Sequence, residues 1–414
     1  MWKIVYNCII YLLFPFFALL GLTKKKVRTN FAERLYIRNS PAVDKAVWVH
    51  GASIGESVIA ENLVRYMRSK TDFKKYIITT NTYYAADMLR KRADADIQVF
   101  SLPFDLPVSI NRFMKQSTFQ ALILVETELW PNLLWAARKR NIPVIIVNGR
   151  LSDATIGHYR RFSFFLKDVL CSISLVLAQS AEHARRFASV GMDPSRVVET
   201  GNLKYYRFME RSRPSTKEKL ITFGSIKERE LPIVLPLVEL LRKSHPQYSV
   251  YVVPRELTLT ETIFEQLSKK MTVTRYSLSK DKVKSDEGAV VVVDTVGDLM
   301  SIYGRSELAF VGGSLAPYGG QNILEPLFFG TPVLFGPHIE NFRDIGDAIL
   351  DAGAGIMVQN GEELGQKIAV LLDDDALRER MGNGGLRMIE DQESVMARTA
   401  SLITEVVWNH SRGS

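Results

Sequence analysis

Cysteine is scarce in this 414-residue chain, which has only Cys8 and Cys171. Two cysteines exclude a disulfide scaffold and a Cys-based zinc site, and they fit a reducing compartment. The six histidines (His50, His158, His183, His245, His338 and His410) form no HxxxH pair. No DxD triplet stands at the end of a candidate strand, so no metal and no cofactor is expected. Also missing are a GxxxxGK[ST] loop and a GxGxxG run with a ribose-binding acid about 20 residues further on, which counts against ATPase and dehydrogenase readings. There is no low-complexity tract. Hydrophobic residues make up 46% and charged residues 24%, enough apolar surface to offset the entropy of ordering the chain. The length exceeds what one core usually serves, so two domains are expected.

What is present is unevenly distributed. The net charge of +8 hides a basic first half: residues 1–207 carry 30 Lys and Arg against 16 Asp and Glu, and residues 208–414 carry 23 against 29. Such a split suggests that the first half meets a polyanion or an anionic surface. Residues 4–22 are almost wholly apolar and as a helix span about 28 Å, close to a hydrocarbon core. Lys24, Lys25, Lys26 and Arg28 follow that run. A cleaved signal peptide has the opposite polarity. By the positive-inside rule the remainder of the chain is cytoplasmic. The segment either spans the bilayer or lies in its interface; on both readings the protein sits on a membrane facing the cytoplasm.

Short β-branched runs recur at 47–50, 76–80, 97–102, 121–125, 144–147, 175–178 and 197–200, alternating with helical patterns such as 56–70, 130–140 and 181–190. Continuous apolar strands alternating with helices predict a parallel sheet covered on both faces. The rhythm restarts after the polar stretch 210–219, with strands at 220–223, 249–253, 290–293, 308–311, 332–335 and 355–358. The expected organisation is a membrane-anchor helix (1–22), a first Rossmann-like domain (23–209), a linker (210–219), a second Rossmann-like domain (220–390) and a C-terminal helix packing back on the first domain (391–414). The fold class is α/β, two parallel sheets facing a central cleft, with ligands at the carboxyl ends of the strands.

The residues that could carry chemistry follow those strands. His50-Gly51-Ala52-Ser53-Ile54-Gly55-Glu56 has two glycines for a tight turn and the Ser-x-x-Glu spacing of a capping box. Glu56 is therefore either a helix cap or a general base. Glu126-Thr127-Glu128-Leu129-Trp130-Pro131-Asn132 puts two carboxyls at a strand end, with Pro131 suited to the first turn of the next helix. They serve acid–base chemistry, or one caps that helix and the other pairs with an arginine. Lys204, in Gly201-Asn202-Leu203-Lys204, could stabilise developing negative charge or be merely solvated. In the second half, Gly312, Gly313, Ser314, Gly319 and Gly320 offer backbone amides, and a helix after Gly320 would present its N-terminus to a phosphate. Glu325 near that start could accept from two ribose hydroxyls. An anion site beside a carboxyl for a diol suits a nucleotide sugar.

The runs HGASIGE, ETELWPN, VNGRLS, GNLK, VPR, DTVGDL, AFVGGS, GGQNILEP and FGPHIENF resemble the 3-deoxy-D-manno-octulosonic acid (Kdo) transferase family over nearly the whole chain. The resemblance implies a GT-B fold and an inverting, metal-independent glycosyltransferase. Such an enzyme moves Kdo from CMP-Kdo to the lipid A precursor (lipid IVA) on the cytoplasmic face of the inner membrane of a Gram-negative bacterium, in lipopolysaccharide biosynthesis. By the same resemblance Glu56 is the general base, and Glu126 and Lys204 stabilise the transition state. Ser225, Pro254, Arg255, Gly297, Asp298, Leu299, Gly312, Gly313, Ser314, Asn322, Ile323, Leu324 and Glu325 bind the CMP-sugar. The implied partners are that donor, the lipid acceptor and an anionic membrane surface, with no nucleic acid. Two positions depart from the family pattern: Glu256 stands where a His usually follows the Pro-Arg pair, and Ile226 replaces the His of the preceding turn. The competing readings are a GT-B enzyme with another nucleotide sugar and lipid, and a non-enzymatic polyanion binder. The binder leaves the Gly-rich motifs of the acidic half unexplained.

Overall fold

A computed structural model describes the chain apart from residues 1, 23–30, 32, 38–39, 162, 207–215, 280–287 and 413–414. The basic run at Lys24, Lys25, Lys26 and Arg28 and most of the expected linker lie outside the described residues. The chain divides into two compact units, Met1–Met209 with Gln392–Ser414, and Glu210–Asp391.

The first unit is built on seven strands: Ala46–His50 (β1), Tyr76–Thr80 (β2), Ile97–Ser101 (β3), Phe119–Val125 (β4), Val144–Gly149 (β5), Leu175–Ala178 (β6) and Val197–Glu199 (β7). They pair in the order β3-β2-β1-β4-β5-β6-β7, all parallel. Alternation along β4 sends Leu122 and Leu124 to one core, and Ala121, Ile123 and Val125 to the other. This two-sided burial is why the strands read as unbroken apolar runs. The helix Asp375–Arg412 closes the second of these cores: Met396, Ala400, Ile403 and Val407 are buried in it.

The apolar N-terminal segment forms the helix Trp2–Leu22. One side of it packs on the first unit. Tyr6 donates to Asp105 (2.8 Å), Asn7 and Asn132 exchange side-chain hydrogen bonds, and Tyr6 meets Trp135 and Phe165 ring to ring. The other side leaves Ile4, Ile9, Leu12, Phe16 and Leu19 exposed, Leu12 at 79%. Among the described residues no helix is long and apolar enough to cross a membrane.

The second unit repeats the plan with Glu218–Ile226 (β8), Ser249–Pro254 (β9), Val273–Arg275 (β10), Val290–Val292 (β11), Ser306–Val311 (β12), Val333–Phe335 (β13) and Gly355–Met357 (β14). The order is β10-β11-β9-β8-β12-β13-β14, again all parallel. Three details differ from the sequence reading. β8 begins at Glu218, so the last two residues of the expected linker belong to the sheet. The edge strand β10 was not expected, because three residues with one aliphatic side chain give no periodic signal. The α-helix expected after Gly320 is absent; a four-residue 3-10 helix, Pro326–Phe329, stands there instead, because Pro326 lacks the N–H a longer helix would need.

Ile403 is fully buried in the first unit's core. Ile403→Ala should cost about 2–5 kcal/mol, read from urea unfolding of the full chain. A loss below about 1 kcal/mol would mean that the C-terminal helix contributes little to that core.

Candidate active site

In an open parallel sheet the chain winds to opposite faces on either side of the strand where the order reverses, and the carboxyl ends there flank a crevice. In the first unit that point lies between β1 and β4. Glu56 follows β1, and Glu126 follows β4.

The turn after β1 needs glycine at one of its two positions. A Cβ on Gly51 would sit 2.7 Å from the main-chain carbon and oxygen of Glu56, whereas one on Gly55 would meet only Ser53 Oγ at 3.9 Å. Half of the expected capping box forms: Ser53 caps the helix, but the return bond of Glu56 goes to the Ala52 N–H and not to that of Ser53. Ser53 Oγ accepts from the Glu56 N–H (3.2 Å), and the Glu56 carboxyl accepts from the Ala52 N–H (2.9 Å) and from Ser53 Oγ–H (2.7 Å). These bonds fix the carboxyl group at the helix start, and each oxygen retains a second lone pair. Beneath the turn His50 is fully buried, with Nδ1 facing the Thr79 carbonyl and hydroxyl. Burial pushes its pKa down to about 3, so the ring is neutral at physiological pH.

Glu126 has φ +61°, a left-handed conformation uncommon for a residue with a side chain. Such strain persists only where the surroundings enforce it. Here the Glu126 N–H is tied to the Val147 carbonyl (2.9 Å) and the Thr127 hydroxyl to the Arg150 carbonyl. The helix Pro131–Lys139 takes neither Glu126 nor Glu128 as its cap. Asp105, from another loop, accepts from the N–H groups of Asn132 (3.1 Å) and Leu133 (3.0 Å). Both glutamates are thereby released from structural duty at that helix. Burial raises the pKa of each: for Glu126 the charge of Glu56 adds to it while Arg150 and Lys204 oppose it, and for Glu128 Glu56 and Glu126 both add. Lys204 sits in the single 3-10 turn Leu203–Tyr205, whose start is capped by Asn202. Glu56, Glu126 and Lys204 are thus brought together. Glu128, the second carboxyl after β4, and Arg150 join them; of the two, only Arg150 was not singled out from the sequence. A left-handed carboxyl beside VNGR leaves no periodic trace.

In the second unit the order reverses between β8 and β12. Gly224 and Ser225 lie near the end of the first, just before its final residue Ile226, and Gly312, Gly313 and Ser314 follow the second. A Cβ on Gly224 would fall 1.9 Å from the buried Tyr303 hydroxyl, and Ser225 is left-handed at φ +57°. The amides expected to face a phosphate are already taken. Fully buried Glu230 accepts from the N–H groups of Gly313 (2.7 Å), Ser314 (3.0 Å), Leu315 (3.0 Å) and Lys227 (3.0 Å). Gly312 donates to Gly224, and Gly320 to Gly313. Ser314 Oγ donates to Val311 and accepts from Gly336. The phosphate role expected of Gly312, Gly313 and Ser314 is therefore corrected. Their loop is held by an internal carboxyl, and their donors are spent within the fold.

The other expected positions divide. Ile323 and Leu324 are fully buried, so their side chains belong to the core. Asn322 and Glu325 remain half-exposed, with Asn322 Nδ2 donating to Glu325 (3.1 Å). Gly297 has φ +94° and open space where a Cβ would be. Asp298 accepts from Thr295 (2.6 Å) and leads into the helix Leu299–Arg305. Pro254 is buried at the end of β9, and Arg255 beside it is exposed. The two family departures meet the same loop: Ile226 is core, and Glu256 pairs with Lys227 (2.5 Å). Lys227 and Arg229 lie over the Tyr318 ring at 5.3 and 5.8 Å, two cations the sequence reading did not place at this edge. Among the described residues no His, Cys, Asp or Glu cluster is arranged to hold a metal ion.

Residues 29–207 match the family described as 3-deoxy-D-manno-octulosonic-acid transferase (kdotransferase). A 3-deoxy-D-manno-octulosonic acid transferase from Haemophilus influenzae is 30% identical, over 97% of this chain and 98% of its own length. The chain belongs to this family. The enzyme is a glycosyltransferase that transfers Kdo in lipopolysaccharide biosynthesis. The Aquifex aeolicus member is 29% identical over 79% of this chain and 86% of its own. Two solved structures share the fold at 13% identity. They are Acinetobacter baumannii MurG (TM-score 0.51, 87% of this chain, 99% of that one) and a Neisseria meningitidis UDP-GlcNAc 2-epimerase (0.52, 88% and 100%). They agree with the two Rossmann-like domains expected of a GT-B architecture.

Glu230→Ala would strand three buried N–H groups and a half-buried fourth and should cost about 3 kcal/mol or more, measured by denaturant unfolding of the whole enzyme. A loss below about 1 kcal/mol would show that water or the solvent-exposed edge satisfies those amides as well as the carboxyl does.

Proposed function

We propose that the enzyme moves Kdo from CMP-Kdo to the lipid A precursor (lipid IVA), with inversion and without a metal. The observation that carries the reading is the gathering of Glu56, Glu126 and Lys204 at the reversal point of the first sheet. A sugar hydroxyl has a pKa far above neutral and needs a base as it attacks. Glu56 takes that proton while the new O–C bond forms at the anomeric carbon of Kdo. The bond from that carbon to the CMP phosphate oxygen breaks, and CMP leaves with the electron pair. Glu126 and Lys204 stabilise the charge that develops. On the donor side the reading keeps Ser225, Pro254, Arg255, Gly297, Asp298, Leu299, Asn322 and Glu325. With the Gly312–Gly313 amides occupied, the phosphate falls to side-chain cations, with Arg255 first and Lys227 and Arg229 beside it.

A lipid acceptor is favoured by an apolar cavity of about 440 Å³, lined by Trp2, Val5, Ile9, Tyr159 and Phe164 among others. Tyr159 links this cavity to the carboxyls: burial and the charge of Glu128 push its hydroxyl up to about 12. The exposed apolar side of the N-terminal helix favours attachment to an anionic membrane surface, the cytoplasmic face of the inner membrane. Because its other side is docked on the first unit, we read the helix as lying in the interface.

Two measurements test this. Glu56→Ala should abolish Kdo addition, read as product mass after incubation with CMP-Kdo and lipid IVA, while CMP affinity stays within about threefold; wild-type turnover would end the base assignment. Leu12→Glu with Phe16→Glu should reduce flotation with anionic vesicles at least tenfold, given about 1.5–3 kcal/mol for each buried apolar side chain. Unchanged flotation would remove the helix from the membrane contact.

A further inference from the structure

VNGR is the one motif of the first unit to which the reaction assigns no role, and the end of β5 that carries it fastens both halves of the proposed charge-stabilising pair. The Val147 carbonyl accepts from the Glu126 N–H and the Arg150 carbonyl from the Thr127 hydroxyl. Between them, Asn148 Oδ1 accepts from the Leu203 N–H at 2.9 Å, the first residue of the turn that carries Lys204. We propose that Asn148 is a positioning residue, which from the end of β5 sets the Lys204 turn against Glu126. The inference rests on the reading of Glu126 and Lys204 as the pair that stabilises the transition state.

The residue type follows from two constraints. Asn148 has φ +54°, where only glycine, asparagine and aspartate are at ease. It is also fully buried. Glycine would offer no acceptor to Leu203, and aspartate would bury a charge beside a carboxyl cluster. Asparagine is the one that gives a neutral acceptor at that backbone angle. Its main-chain carbonyl is held in turn by Gln179 Nε2 (3.2 Å), so strand β5 and the segment after β6 both brace it. The turn is also held by its cap, Asn202 Oδ1 accepting from the Lys204 N–H (2.9 Å), and by Leu203, buried in the core, but it is Asn148 that ties it to the strand end that fastens Glu126. It is three residues long, and Gly201 before it lies at φ +107°.

Asn148→Gly keeps the backbone angle and removes only the side chain. It should lower kcat 10–100-fold, the scale of a misplacement of about 1 Å, with KM for CMP-Kdo unchanged within about twofold. Combined with Lys204→Met it should be no slower than Lys204→Met alone. The acid limb of the kcat/KM profile should also move to higher pH. With Lys204 displaced, burial and the charge of Glu56 raise the Glu126 carboxyl against Arg150 alone. A wild-type kcat in Asn148→Gly, or an equal loss in the Lys204→Met background, would overturn the proposal. A wild-type kcat in Lys204→Met itself would overturn the reading of Lys204 and this inference with it. Hydrogen exchange on the unaltered enzyme gives a check that does not depend on the variant folding: the Leu203 amide should be protected, and exchange at the free-peptide rate would equally overturn the proposal.

Discussion

An open parallel sheet needs both of its faces covered, and the strand at which the winding changes sides decides where everything else in each unit can be. β1 and β4 flank that place in the first sheet, β8 and β12 in the second. The crossovers depart in opposite directions there, so no helix covers the carboxyl ends. The loops that follow these strands are free to hold polar groups, while the strands themselves are committed to two apolar cores. Glu56, Glu126, Ser225 and Glu230 all answer to that geometry, although they belong to two separate cores and share no local sequence pattern.

Buried carboxyls do two kinds of work here, and the difference lies in how many donors meet them. Asp105 and Glu230 each collect main-chain N–H groups, two and four respectively, and hold a helix start and a glycine loop in place. The charge of Glu56 acts instead on both Glu126 and Glu128, and that of Glu126 on Glu128, with Arg150 and Lys204 opposing at Glu126. The first kind is locked by its bonds. Burial raises the Asp105 carboxyl too; in the second kind like charge adds to burial, the usual condition of groups that exchange protons or stabilise transient charge. Glu56 stands between the two, a helix cap by its hydrogen bonds and a member of the cluster by its place.

Much of this was legible in the sequence. The strands of both sheets stood out because burial on two faces writes an unbroken apolar run, and the Ser53-x-x-Glu56 box because capping has a fixed spacing. The family resemblance pointed to the residues that the first sheet gathers. Three things were not legible. Glu230 meets Gly313 across 83 positions, and no local pattern announces a hydrogen bond of that range. Glycine-rich turns therefore looked like open phosphate sites when their amides were already occupied. Ile323 and Leu324 sat inside a binding motif, yet their side chains turn into the core. The left-handed angles at Glu126, Asn148 and Ser225 fall on residues with side chains, where sequence reasoning looks for glycine.

The core of the first unit is completed by residues 396–407, nearly two hundred positions beyond the strand that ends its sheet. On the ribosome, at about 5–20 residues per second, the earlier strands wait roughly 10–40 s for their last packing partner. During that time the second unit is synthesised, and the part of that core which the C-terminal helix covers stays open, although the helix Ile54–Lys70 already packs Ile59, Leu63 and Met67 into it. The helix Trp2–Leu22, made before any strand of the sheet, already presents apolar side chains to its surroundings. Biogenesis of this enzyme is therefore a matter of keeping a half-finished domain from aggregating, and a membrane surface that receives the first helix early would shorten its exposure.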